Sequence, residues 1–226
     1  MPYKSSGGEL VDSELGIIPK GWEVRKIEDF AKVNGGKRLP KEKFLIPYKT
    51  NHPYIRITDV DNARIKLDKI MFLDDETFDS IRNYTIKKDD IFVSIVGTIG
   101  LVGSINSMLD YANLTENMAK ITIDTESVIK KYYLLAVLST KDGQHNLKSR
   151  NAGSTQPKLP LGRIRDFPIV VPNDDLVCIF NGLCEEIYEK IDEVEIENLT
   201  LANLRDTLLP KLMNGEIKLD NLEINL

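Results

Sequence analysis

Between positions 176 and 208 the apolar residues fall at Leu176, Phe180, Leu183, Ile187, Ile191, Val194, Leu201, Leu204 and Leu208, in steps of three and four broken only between 194 and 201. That spacing keeps one face of an α-helix apolar. Pro172 and Asn173 supply a break and a capping residue, Asp174 and Asp175 put acids in the first turn, and the next proline is Pro210. The pattern predicts a single helix from about 173 to about 209, roughly 50 Å long at 1.5 Å per residue. Such a helix outruns the needs of one small domain. Its stripe either folds back on the domain's own core or, the reading we favour, pairs with a partner helix.

Charge divides the chain at the same place. Residues 1–172 carry 26 Lys+Arg against 22 Asp+Glu, whereas residues 173–226 carry 4 against 13. A mildly basic, glycine-punctuated segment is thus followed by a strongly acidic helix, a pairing that suits a nucleic-acid-reading domain on a helical strut. No apolar run approaches the roughly 18 residues that cross a bilayer, and the N-terminus lacks the apolar core of a signal peptide. The expected location is the cytoplasm. The two cysteines, Cys178 and Cys184, point to different faces of the helix and are expected to be buried thiols.

Before the helix, the sequence reads as a mixed α/β domain. The opening is loop-like, with Gly16, Pro19 and Gly21 stopping regular structure ahead of Trp22. A short helix is expected at about Ile27 to Val33, followed by a long basic loop from Asn34 to Asn51. Tyr54 to Thr58 alternates as a strand does. Ile91 to Val96 is an almost continuous apolar run ending at Gly97, which predicts a buried central strand turning at Gly97–Gly100 into a hairpin partner over Leu101–Ile105. Ala119 to Ile123 predicts another strand and Val128 to Ser139 a helix. Asn151 to Pro157 predicts a loop, and Ile164 to Val171, interrupted by Pro168, edge-strand material.

Enzymatic readings fail one by one. Asn51-His52-Pro53-Tyr54 is one residue away from the Asn-Pro-Pro-Tyr of DNA amino-methyltransferases, but His52 replaces the first proline and no glycine-rich cofactor loop follows a strand. Gly36-Lys37 lacks both the glycine five residues earlier and the following Ser or Thr of a phosphate-binding loop. The acid-x-lysine triplet Glu216-Ile217-Lys218 has no strand around it. Neither Ser94 nor Ser154 sits in a nucleophile elbow, and the two histidines and two cysteines show no metal-ligand spacing. The chain reads as non-catalytic. Two windows stand out instead: Lys32–Lys66 holds nine Lys+Arg and three acids, and Lys131–Arg165 holds seven and one. Such clusters neutralise phosphates, while Asn51, His52, Arg150, Asn151 and Gln156 are of the types that read base edges, with Tyr48 and Tyr54 interleaved.

Four stretches in order resemble the specificity subunit of Type I restriction-modification systems: Leu15–Trp22 (LGIIPKGW); Tyr54–Val60 (YIRITDV); Arg150–Gln156 (RNAGSTQ) with Phe167–Pro172 (FPIVVP); and Leu204–Ile217 (LRDTLLPKLMNGEI). The resemblance spans about residues 9–218. It implies a target-recognition domain at 1–172, a conserved spacer or dimerisation helix at 173–210 and a tail at 211–226: a mixed α/β domain followed by a long C-terminal coiled-coil helix. It also implies that methyltransferase subunits dock on this framework and bring S-adenosylmethionine, that a restriction or motor subunit bringing ATP joins them, and that this chain holds no cofactor itself.

A complete member carries two recognition domains and two spacers. This sequence has one of each and no internal repeat, so it matches half a subunit, either a natural half-length chain or a piece of a longer one. Where the family writes Pro-Pro-Leu-x-Glu-Gln before the spacer, Val171 to Leu176 departs from the pattern.

Two copies joined through Phe180, Leu183, Ile187, Ile191, Val194, Leu201, Leu204 and Leu208 would form a two-fold homodimer reading a bipartite, palindromic site on double-stranded DNA. The residues expected to touch DNA are Arg38, Lys41, Lys43, Lys49, His52, Arg150, Gln156 and Lys158. Two rivals stand beside this reading. One is a stand-alone dimeric DNA-binding regulator, and the other is a fragment that pairs with a full-length specificity subunit and modulates its assembly.

Overall fold

The computed structural model describes residues 8–150 and 157–217. The chain forms two compact units, residues 1–186 and residues 187–226.

The first unit opens with a hairpin of β1 (Leu10–Ser13) and β2 (Gly16–Pro19), where a loop was expected. Gly16 adopts φ +94 at the turn, and the Ser13 hydroxyl donates to the Gly16 carbonyl at 2.6 Å, so the supposed breakers make the hairpin. After β3 (Glu23–Lys26), the expected helix at 27–33 is instead a 3-10 turn at Ile27–Asp29 followed by β4 (Ala31–Gly35). β5 (Pro53–Ile55) is shorter than the strand read from Tyr54 to Thr58. Asp59 accepts from the Arg56 backbone at 2.8 Å and from its guanidinium at 3.0 and 2.6 Å, closing a 3-10 turn at Ile57–Asp59 where a ladder would continue.

Short strands β6 (Val60–Asp61), β7 (Arg64–Ile65) and β8 (Met71–Phe72) lead to helix α1 (Asp75–Ile81) and β9 (Thr85–Ile86). β10 (Ile91–Ser94) is wholly buried and pairs with β11 (Val102–Gly103) across the Gly97–Gly100 turn, as its apolar run predicts. β12 (Ala112–Leu114) and β13 (Met118–Ile123) follow. Next come α2 (Lys131–Ser139), α3 (Lys141–Ser149), α4 (Leu161–Arg165) and β14 (Pro168–Val171). Part of the stretch read as edge strand is therefore helix.

Two four-stranded sheets organise the unit. One runs β11-β10-β13-β4, all antiparallel; the other runs β8-β5-β12-β9, with β5 and β12 parallel. One buried cluster draws on both: Phe92 and Met118 from the first, Ile55, Ile86, Ala112 and Leu114 from the second, closed by Ile65, Ile70, Ile105 and Leu109. Full burial of each large side chain stabilises by roughly 1.5–3 kcal/mol. Alternation along β4 sends Ala31 and Val33 to the buried side. β14 pairs antiparallel with β3, tying the start of the domain to the segment before the long helix. Tyr133 donates to the Val170 carbonyl at 2.6 Å, and burial pushes its phenol up to about 12.

Helix α5 spans Asp174–Met213. Within the first unit Val177 is its one fully buried residue, Phe180 meets the Tyr133 ring edge-on and Asn181 accepts from the Tyr132 amide. Cys178, one position past Val177, turns outward and is exposed, correcting the expectation of a buried thiol; Cys184 is half-buried, and burial pushes its thiol up. Pro210 lies inside the last turn rather than after it. The terminator is Gly215 at φ +74, with Glu216 N–H bonded to the Lys211 carbonyl and Gly215 N–H to that of Leu212. Among the described residues no helix is long and apolar enough to cross a membrane.

Candidate nucleic-acid interface

The strands bring sequence-distant segments to one end of the two sheets. β4 and β10 both run antiparallel to β13, so the ends of β4 and β10 lie beside the start of β13. The link from β12 to β13 forms the hub. Gly36 N–H bonds to the Met118 carbonyl, Lys37 N–H to Leu114, Thr115 N–H to Ile55 and Ile95 N–H to Asn117, all within 2.8–3.1 Å. A methyl on Gly36 would lie 2.2 Å from the Thr115 carbonyl oxygen, so only glycine lets the strands converge here.

This end carries Lys37 and Arg38 from the β4 exit, and Lys158 through an antiparallel bridge to Val96. Arg38 donates to Glu116 at 2.6 Å. Burial pushes the Glu116 carboxyl up, but hydrogen bonds from Arg38, its own backbone and Thr115 outweigh it and leave the group below its ordinary value. Tyr54, interleaved with the cations in sequence, is buried and spends its hydroxyl on the Lys37 carbonyl at 2.8 Å.

The remaining expected contacts of the first basic window follow the loop from Leu39 to His52, pinned from behind. Leu39 and Leu45 pack on the Tyr54–Leu73–Ile81 cluster, and Ile46 exchanges two 2.9 Å backbone bonds with Phe72. Held this way, Phe44 (77% exposed) and Tyr48 (66%) project outward beside Lys41 and Lys49, which are exposed. Lys43 instead reaches Glu76 at 2.5 Å, and His52 stacks on Phe78 at 3.9 Å while its Nε2 lies 2.9 Å from Asp75. The acidic first turn of α1 therefore neutralises part of this loop.

Arg150 is held as a structural residue: it donates to Asn146 at 2.6 Å, reaches the Arg163 and Asp166 carbonyls and lies over the Phe167 ring. Gln156, with the rest of 151–156, lies outside the described residues. The expected contacts thus fall into a strand-end group (Arg38, Lys158), a loop group (Lys41, Lys43, Lys49, His52) and one residue turned inward (Arg150). Sequence reasoning passed over Phe44, whose only signal is an aromatic beside a lysine in a loop, and Lys37, set aside with the failed phosphate-loop motif.

Along α5, Phe180, Leu183, Ile187, Ile191, Val194, Leu201 and Leu204 are exposed and Leu208 is half-buried. Ile187, Ile191 and Val194 line a shallow apolar groove edged by Lys190 and Glu195.

Comparison with known proteins gives a consistent result. Residues 19–204 match the sequence profile described as Type I restriction modification DNA specificity domain. The chain is 30% identical over 209 residues to the Type I restriction enzyme HindI specificity subunit of Haemophilus influenzae, covering 88% of this chain and 42% of that one. It is 24% identical over 224 residues to the MjaIX specificity subunit of Methanocaldococcus jannaschii, covering 98% and 50%. Among solved structures, the S subunit of a Type I restriction-modification system from M. genitalium shares the fold with a TM-score of 0.56 at 17% identity, covering 89% of this chain and 47% of that one. The chain spans about half the length of the curated relatives it matches.

Proposed function

The chain belongs to the Type I restriction modification DNA specificity domain family, and from that premise we propose that it is the sequence-reading component of a restriction-modification complex. It fixes where double-stranded DNA is bound and leaves the chemistry to other subunits. The observation that carries this reading is the family match over residues 19–204, which takes in both the strand-end cations and most of the α5 stripe. Lys41, Lys49 and Lys158 engage phosphates directly. Lys43 does so after exchanging Glu76 for DNA, while Arg38 and His52, on leaving Glu116 and Asp75, read base edges.

The stripe from Phe180 to Leu208 pairs antiparallel with a second copy, giving a two-fold dimer that reads two inverted half-sites. A methyltransferase subunit carrying S-adenosylmethionine docks on this frame and flips out the target adenine, and a restriction subunit using ATP joins the same complex. The half-length match to the relatives supports a second reading, in which the stripe pairs with the spacer helix of the other half of a longer subunit.

The test is selection of random-core duplexes on the full chain, followed by sequencing and by light scattering of the free protein. A two-fold symmetric consensus together with a mass near twice 25.6 kDa, falling to one copy in a Leu183→Glu/Val194→Glu variant, supports the homodimer. A monomer that binds a single half-site favours the second reading, and a chain that selects no sequence contradicts both.

A further inference from the structure

We infer that the Gly97–Gly100 turn is a base-reading element, with Thr98 as a specificity-determining residue inserted into the major groove. The inference rests on the proposed DNA-reading function and names a contact within it.

The turn closes the β10–β11 hairpin and is rigid for a stated reason. The buried Ser94 hydroxyl donates to the Thr98 carbonyl at 2.5 Å and accepts from the Leu101 amide at 2.8 Å. The Ser94 amide also donates to the Leu101 carbonyl at 2.8 Å, and the Gly100 amide donates to the Ser94 carbonyl at 3.0 Å. Gly97 and Gly100 adopt φ +77 and +83, which side-chain-bearing residues rarely do. Ile99 is buried and anchors the loop, while Gly97 and Thr98 are exposed at its tip. Apart from its chain neighbours, no heavy atom of the described residues lies within 4 Å of where a Gly97 side chain would begin, so the tip is open at this point.

The surroundings suit DNA. Val96 bridges Lys158, and the Leu159 amide bonds to the Ile95 carbonyl at 2.8 Å, fixing an exposed cation beside the tip. On the other flank, Ile95 bonds to Asn117, next to the Glu116 that holds Arg38. Gln144 donates to the Gly100 carbonyl at 2.8 Å, backing the turn with α3. The result is a stiff turn at the end of the buried β10–β11 pair, with a cation at its side and a short β-branched hydroxyl residue at its exposed tip. The exposed tip is narrow enough to present one side chain to the major groove, and threonine offers bases both a methyl group and a hydroxyl. Because the turn is already ordered, contact there loses little conformational entropy.

The experiment repeats the random-core duplex selection with wild type, Thr98→Ala and Lys158→Ala, and measures affinity for the wild-type consensus by fluorescence anisotropy across a salt series. Thr98 is exposed and its hydroxyl bonds to none of the described residues, so the variant keeps the wild-type thermal midpoint. The expected result is that Thr98→Ala relaxes the preference at one position of each half-site and weakens consensus binding about five- to hundredfold, with the salt slope unchanged. Lys158→Ala keeps the consensus, weakens all duplexes evenly and lowers the salt slope by about one. A Thr98→Ala protein that returns the wild-type consensus at wild-type affinity overturns the assignment of the turn while leaving the DNA-reading function standing. A wild type that selects no sequence overturns both.

Discussion

Gly36 shows how far a single residue can govern this domain. Its amide bonds to the Met118 carbonyl of one sheet while its neighbour Lys37 bonds to Leu114 of the other, and a Cβ would come within 2.2–2.4 Å of the Thr115 and Leu114 carbonyl oxygens. Backbone atoms cannot step aside as a side-chain end can. Gly36→Ala is therefore expected to destabilise the domain by about 1–3 kcal/mol, the usual cost of overpacking, read as a lower urea midpoint at unchanged slope.

Glu116, at the same strand end, makes a pH-dependent contribution whose sign follows from its depressed carboxyl. A group whose folded-state value lies below its unfolded one stabilises the fold above the unfolded value, here the ordinary 4.5, and loses that contribution as pH falls through the folded value. Glu116→Gln should thus be less stable than wild type by a constant margin above about pH 5.5, and the gap should close below 4.5. A margin that persists unchanged into acid would mean the carboxylate charge is not what matters. The same substitution releases Arg38, so nonspecific DNA affinity should rise at low salt.

At the scale of elements, what could be read from the sequence tracks where the hydrogen bonds go. β10 was legible because an apolar run interrupted only by Ser94 ends at a glycine, and burial on both faces fits such a run. β4 was not. Ile27, Phe30 and Ala31 stand at i, i+3 and i+4, a helical spacing that masks the alternation of Ala31 and Val33 in the strand that forms. The Tyr54–Val60 stretch, part of the family resemblance, owes its pattern to architecture: Arg56 and the 2%-exposed Asp59 end β5 by capping a turn.

Side-chain capping also explains the α2–α3 corner. The Thr140 hydroxyl oxygen accepts from the Gly143 amide at 3.0 Å, and its O–H donates to the Val137 carbonyl at 2.8 Å. Replacing Thr140 with Ala should cost about 1 kcal/mol and lower the thermal midpoint by about 2–4 °C, with far-ultraviolet circular dichroism otherwise preserved. The candidate site was half legible for a related reason. Composition located the basic clusters, but only the fold reveals that Glu76, Asp75 and Glu116 already hold three of the expected contacts and that Arg150 is turned inward. Acids 23 to 78 positions away in sequence cannot be assigned to partners by inspection.

For the molecule as a whole, the two proposed associations should respond to salt in opposite directions. Helix α5 carries ten acidic residues and three basic ones between Asp174 and Met213, so two copies laid side by side repel along their length while their apolar stripes attract. Salt screens the repulsion, with a Debye length of about 30 Å at 0.01 M and about 3 Å at 1 M, and leaves the apolar contact intact. DNA binding runs the other way, because each cation on a phosphate releases a counterion and salt opposes that release. Raising salt from about 50 to about 500 mM should increase the dimer fraction measured by light scattering at fixed concentration while duplex affinity falls by orders of magnitude. A dimer that dissociates with salt would show that charge pairs such as Lys190 with a partner's acid hold the copies together and that the apolar stripe does not, which would move the interface off the Leu183–Val194 seam.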